Sequence, residues 1–127
     1  NAVEVTKKGE ILMAFGREVI KYDIGGFRHG SVIDDEILGQ GFEDMDLTLD
    51  EDQKLWIFTD AGWAFKFKKP GKLEWKIQAY DKPTRHPRIA VREGILFLSH
   101  FDRIEQVDML QLELDQEAAK KAEEEAE

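Results

Sequence analysis

Short runs of alternating apolar and polar residues dominate the chain, and a period of two predicts half-buried β-strands. Residues 2–6 (AVEVT) alternate, residues 11–15 (ILMAF) form an apolar run of strand length, and residues 18–24 (EVIKYDI) alternate again. Lys7-Lys8-Gly9-Glu10 and Gly16-Arg17 separate these runs as turns, which is a hairpin signal. Residues 25–31 (GGFRHGS) read as a loop, because their three glycines can take positive φ. Residues 32–38, with Asp34, Asp35 and Glu36 in a row, fit an exposed strand end or a short helix. Gly39-Gln40-Gly41 closes that segment.

The same order then recurs. Met45, Leu47 and Leu49 alternate with Asp46 and Thr48 in residues 42–49, residues 50–53 turn, and residues 55–58 are apolar. After a turn at residues 59–62, Trp63, Phe65 and Phe67 alternate with Ala64, Lys66 and Lys68. Pro70-Gly71 is a strong turn dipeptide, followed by Leu73, Trp75 and Ile77 alternating with Glu74, Lys76 and Gln78. A third round comes after Lys82-Pro83 and Pro87. It has strands at residues 88–91, 95–99 and 104–109, a turn at Glu93-Gly94 and a connection at residues 100–103. Leu110, Leu112 and Leu114 continue an alternating pattern. Residues 115–127 (DQEAAKKAEEEAE) depart from it. They are rich in helix formers, with a favourable Glu117–Lys121 spacing. Their only apolar residues are alanines, and acids crowd the C-terminal end, where the helix dipole disfavours them. A solvated, frayed helix or a disordered tail is expected there.

The apolar second strands begin at Ile11, Leu55 and Ile95, a period of 40–44 residues. Short antiparallel strands repeating every 40–45 residues or so are what a β-propeller blade requires. One small twisted sheet cannot bury both faces, so blades stack around an axis and cover each other. The stretch KLWIFTDAGWAFKFKKPGKLEWKIQ resembles the quinoprotein-like propeller repeat, in which a strand pair precedes a turn of the type Pro-Gly-Lys-x-x-Trp. Here the match is Pro70, Gly71, Lys72, Leu73, Glu74 and Trp75. The first unit keeps Tyr22, Asp23 and a Gly-rich turn without the Trp, and the third lacks the Gly-Lys-x-x-Trp turn. LDEDQKLWI and RIAVREGILFLS also resemble NHL-type blades. The resemblance spans residues 3–114 as architecture and implies a scaffold, with no cofactor placed.

The expected fold is therefore all-β: three blade-like antiparallel sheets over residues 2–38, 42–80 and 86–114, in one domain of residues 2–114 with a charged tail at 115–127. A β-sandwich or barrel of about ten strands fits the same turn spacing and stays open. Propellers typically close with about four to eight blades. Three blades imply a piece of a larger propeller, a ring completed by copies, or completion by another subunit. An open arc exposes strand faces and edges, so the chain is expected to associate.

Composition narrows the chemistry. The formal charge of −9 argues against bulk attraction to nucleic acid or anionic lipid. Residues 115–127 hold six acids and two lysines, a net of −4, which leaves about −5 on the rest. The absence of cysteine excludes disulfides, iron–sulfur clusters, thiol nucleophiles and Cys-based zinc sites. No apolar run reaches the roughly 18 residues of a membrane span, and no signal peptide is read. The chain starts with Asn1 rather than Met, which fits a cleaved export signal or a trimmed fragment; an exported or periplasmic location is favoured over the cytoplasm.

Enzyme signatures fail in turn. An EF-hand loop counted from Asp46 would put Thr48, Glu51 and Ile57 at positions three, six and twelve, which is a mismatch. His29, His86 and His100 are too scattered for a local metal motif. Ser99 and His100 on one strand point to opposite faces and cannot pair as nucleophile and base. The glycine clusters match no phosphate-binding fingerprint. One basic and aromatic patch remains, with Trp63, Lys66, Lys68 and Lys72 as its candidate binding residues, near Lys69 and Lys76. It could hold an acidic partner, or it could be a half-buried strand whose lysines blunt an edge. His100 and Arg103 are added as loop candidates.

The first expectation is a non-catalytic propeller-type interaction module that binds a protein partner or itself, with no cofactor, no metal, no nucleic acid and no membrane insertion. The alternative is a ligand-binding or enzymatic propeller fragment whose site forms on ring closure, from residues 25–30, 60–62 and 100–103. A third option is a secreted sandwich domain that binds carbohydrate through exposed Trp56, Trp63 or Trp75.

Overall fold

The computed structural model describes residues 3–33, 35–39, 41–69, 71–80, 83, 86–100 and 103–126. It is mostly strand, arranged in antiparallel sheets, none closed into a barrel. The first sheet is a four-stranded meander of β1 (Val3–Val5), β2 (Ile11–Phe15), β3 (Glu18–Tyr22) and β4 (Arg28–Ser31). After the helical turn α1 (Asp35–Leu38) comes the middle sheet: β5 (Met45–Leu49), β6 (Leu55–Thr59), β7 (Trp63–Lys69) and β8 (Lys72–Gln78). The third sheet has three strands, β9 (Ile89–Arg92), β10 (Ile95–His100) and β11 (Arg103–Asp108), followed by the helix α2 (Met109–Ala126).

The first and middle sheets share a turn. Thr6 N donates to Glu10 O and Gly9 N to Thr6 O; Asp50 N donates to Lys54 O and Gln53 N to Asp50 O. Gly9 and Gln53, at φ +87° and +64°, occupy the same left-handed position. Asp50 holds its turn further. Its Oδ1 accepts from Asp52 N at 2.9 Å and Lys54 N at 3.0 Å, and its Oδ2 accepts from Trp56 Nε1 at 3.0 Å. Superposing the two turns makes Ile11 equivalent to Leu55 and Met13 to Ile57, so the 44-residue repeat of the sequence is a structural one.

Alternation along each strand then decides what packs where. On β6, Leu55 and Ile57 point to the first sheet, into a core with Leu12, Ala14, Val19, Phe65 and Phe67. Trp56 and Phe58 point the other way, into a core with Ile89, Val91, Leu96 and Leu98 of the third sheet. The middle sheet is thus covered on both faces, and its β6 is buried throughout. Burying each such Leu, Ile or Phe contributes about 1.5–3 kcal/mol. The crossover from the first sheet seals one end of this junction with Ile33, Leu38 and Phe42, while Arg17 donates to Gly39 O at 3.0 Å and lies over the Phe42 ring.

Two segments differ from the sequence reading. Residues 28–31, expected as loop, form β4, and its pairing with β3 shifts register between Lys21 and Tyr22, as at a β-bulge. Residues 109–114, expected to carry the alternation on, begin α2. Leu, Gln, Glu and Met are strong helix formers and no β-branched residue interrupts them, so propensity outweighs an alternation that no neighbouring strand pairs with. Of the ambiguous residues 32–38, Asp35–Leu38 form the helical turn α1. Ala2, Asp34, Gln40, Pro70, Lys82 and the connection residues 101–102 lie outside the described residues.

Candidate interaction surfaces

The basic and aromatic patch is divided by the fold. β7 is flanked by β6 and β8, so its lysines do not protect an edge. Lys66 is only 8% exposed; its Nζ sits 3.4 Å from Glu74 Oε2 and 5.4 Å from the Trp56 ring centroid. Lys54 reaches the same carboxylate oxygen at 3.6 Å. Lys68 is exposed and shares a groove with Lys54, Lys66 and Lys120 of α2, but Asp52, Glu74, Glu117 and Glu123 line it too. Opposite charges there leave little net field for a polyanion. Lys72 is exposed at the β7–β8 turn, at one end of the strands, whereas Trp63 is half-buried at the other end, against Phe65 and under Lys76 Nζ at 5.3 Å. The structure therefore brings Lys66 and Lys68 together and separates Trp63 from Lys72. His100 and Arg103 pair as the closing residues of the β10–β11 hairpin; their side chains lie outside the described residues.

The tryptophans do not form an exposed set. Trp56 is fully buried, and Trp75 is half-buried with its ring edge-on to Trp56 at 5.1 Å. Trp75 packs on the core between the middle and third sheets. The three loops proposed to gather on ring closure are also split. The turns at 60–62 and 100–103 follow second strands, whereas 25–27 follows a third strand and therefore lies at the opposite end, where Ile24 sits against Gly9. Among the described residues no three His, Asp or Glu side chains gather as a metal-binding set. No helix among them is long and apolar enough to cross a membrane.

Sequence reasoning missed the place where the sheets meet. The first strands β1, β5 and β9 run beside one another, β5 in the middle. Asp46 on β5 is 9% exposed, and its Oδ2 accepts from Ile89 N at 2.8 Å, tying the middle sheet to the third. Burial pushes the Asp46 carboxyl above the ordinary carboxylate range, against the pull of that hydrogen bond and of Arg88. Glu4 on β1 is raised as well, first by burial and then by the Asp46 charge; Thr48 and Arg92 oppose the shift. The neighbouring turns are linked in the same way. Gln53 Oε1 accepts from Lys7 N at 2.9 Å, and Glu51 Oε1 from Glu93 N at 3.3 Å, so the middle turn reaches to both sides. Acids at alternate positions of a first strand were the available signal, but adjacency of first strands is invisible along one chain.

The two outer faces were also missed. On the first sheet, Val3, Val5 and Phe15 are 55%, 59% and 60% exposed, beside half-buried Ile11 and Met13. Register places all five on the face turned away from the middle sheet. On the third sheet the outward face carries Ile95, Phe97 and Ile104, the last 69% exposed, among Arg92, Gln106 and Asp108. No family model and no curated protein matches the chain.

Proposed function

We propose that this chain is a propeller-type interaction module, an arc of three blades that works by binding protein rather than by catalysis. One observation carries the reading: the first sheet keeps an apolar outer face equivalent, residue for residue, to the face that the middle sheet buries. Met13 and Ile11 occupy the positions of Ile57 and Leu55, which are 0% and 2% exposed. A soluble monomer seldom leaves such a face open. The first strands side by side, with each sheet running outward from them, support the propeller form of the repeat.

The test is a photo-cross-linking residue placed at position 15, with a second variant carrying it at position 117 on the exposed side of α2. The expected result is a protein adduct from position 15, identified by peptide mapping, with none from position 117. No adduct from position 15 overturns the reading.

A further inference from the structure

We infer that the occupant of the first sheet's outer face is the third sheet of a second copy of this chain, and that two copies close head to tail into one ring of six sheets. The inference rests on the interaction-module reading above and names its partner. The chain uses one kind of sheet-to-sheet junction twice. In each, the following sheet offers a face of bulky aliphatic and aromatic residues and the preceding sheet offers the opposite face of its own strands. Leu55, Ile57 and Phe65 of the middle sheet cover Leu12, Ala14 and Val19 of the first. Leu96, Leu98 and Val91 of the third sheet cover Trp56, Phe58 and Ala64 of the middle one. Both halves of a third such junction stand open on the same molecule. Ile11, Met13, Phe15, Val3 and Val5 form the half that a following sheet offers, and Ile95, Phe97 and Ile104 form the half that a preceding sheet offers.

Charge fits the same pairing. At the two internal junctions the turns after the first strands lie beside each other and exchange hydrogen bonds. In the ring, the corresponding neighbours are the turn holding Lys7 and Lys8 of one copy and the turn holding Glu93 of the other. Lys7, Lys8 and Glu93 are all exposed. Glu93 beside Lys7 and Lys8 favours the head-to-tail contact, the neighbouring Arg92 being held to Val91 O and drawn to Glu4 of its own copy, whereas joining two first sheets face to face sets Lys7 and Lys8 against their own copies. A two-fold ring makes the same contact twice, which buries both open faces and leaves neither end free to propagate into a filament.

Sedimentation velocity over a concentration series reads the mass, and disulfide trapping reads the pairing. The native chain has no cysteine, so introduced ones report alone. The wild-type chain is expected to sediment as a dimer. Met13→Glu with Phe15→Glu is expected to give a folded monomer, since Phe15 is already mostly exposed within one chain. Lys7→Glu with Lys8→Glu is expected to raise the dimer dissociation constant at least about tenfold, with recovery on adding Glu93→Lys. Mixing Met13→Cys with Phe97→Cys chains is expected to trap mixed dimers in preference to like pairs. A wild-type monomer at 100 μM or so, a dimer indifferent to the Met13 and Phe15 changes, or a trap that favours Met13-to-Met13 pairs overturns the inference. A cross-link from position 15 to a different protein also overturns it while leaving the interaction-module reading intact; absence of any adduct removes both.

Discussion

Asp46 shows at the scale of one residue how a strand carboxylate becomes a joint between sheets. Its Oδ2 accepts the Ile89 amide, and burial holds its pKa up. An acid whose pKa is raised on folding binds its proton more tightly in the folded state. It therefore costs stability above its folded pKa, and that cost fades as pH falls towards the ordinary carboxylate range. Asp46→Asn keeps an acceptor oxygen without the charge. It is expected to match or exceed the wild type in urea midpoint at pH 7, with the difference narrowing in acid. Asp46→Ala, which strands the Ile89 amide, is expected to cost about 1–3 kcal/mol. An Asn variant clearly less stable than wild type at pH 7 would show that the charge itself is wanted. Asp23 runs the other way: its carboxylate accepts first from Phe27 N and also from His29 and Gly25, which lowers its pKa. A pH profile must therefore be read as a difference between wild type and variant.

At the scale of the element, β7 separates two lysines that look alike along the chain. Lys66 is buried with its ammonium between Glu74 and the Trp56 ring, while Lys68, two residues on, is exposed. Lys66→Glu would set two carboxylates together at a site nearly closed to water and is expected to cost about 3 kcal/mol or more. Lys68→Glu is expected to stay within about 0.5 kcal/mol of wild type. Thermal or urea unfolding of the pair decides between a binding strand and a structural one, because two equivalent surface lysines would shift alike. Gly62, in the β6–β7 turn, shows how closely these strands are pinned. At φ +91° its carbonyl accepts from Ala79 N and Tyr80 N, and a Cβ there would meet Tyr80 O at 2.5 Å. The Thr-Asp-Ala-Gly turn was legible as a turn; that its glycine is required by the chain returning past it was not.

For the whole molecule, protection follows from how many faces of a sheet are covered. The middle sheet is covered on both, and each flanking sheet on one. In a stack of repeats, stability is a sum of unit and nearest-neighbour terms, so the unit with two neighbours opens last. Amide hydrogen exchange is expected to be slowest in β6 and fastest in β1, β4 and β11 when measured on the Met13→Glu, Phe15→Glu variant. Uniform protection across the three sheets would point to a single cooperative unit instead. The acidic α2 contacts the sheets mainly at β11, and its described side chains, Leu114, Asp115 and residues 117–124, are exposed.

Much of this architecture follows from the sequence alone. Alternation at Val3 and Val5 and again at Met45, Leu47 and Leu49, each followed by an apolar run that opens at Ile11, Leu55 or Ile95, specifies strands, hairpins and a repeat, because side chains on a strand alternate faces and turns need glycine or polar residues. β4 and the start of α2 were not legible, because pairing with β3 overrides loop-like composition at Arg28–Ser31 and helix propensity overrides alternation after Asp108. Only the tertiary structure decided which faces meet. Strand periodicity separates two faces without saying which one a neighbouring sheet will cover. Leu55 and Trp56 look alike along the chain, yet one completes the core with the first sheet and the other the core with the third. The same packing makes Asp46 a buried joint, neutralises the lysine patch, and leaves the Met13 face as the surface still open to a partner.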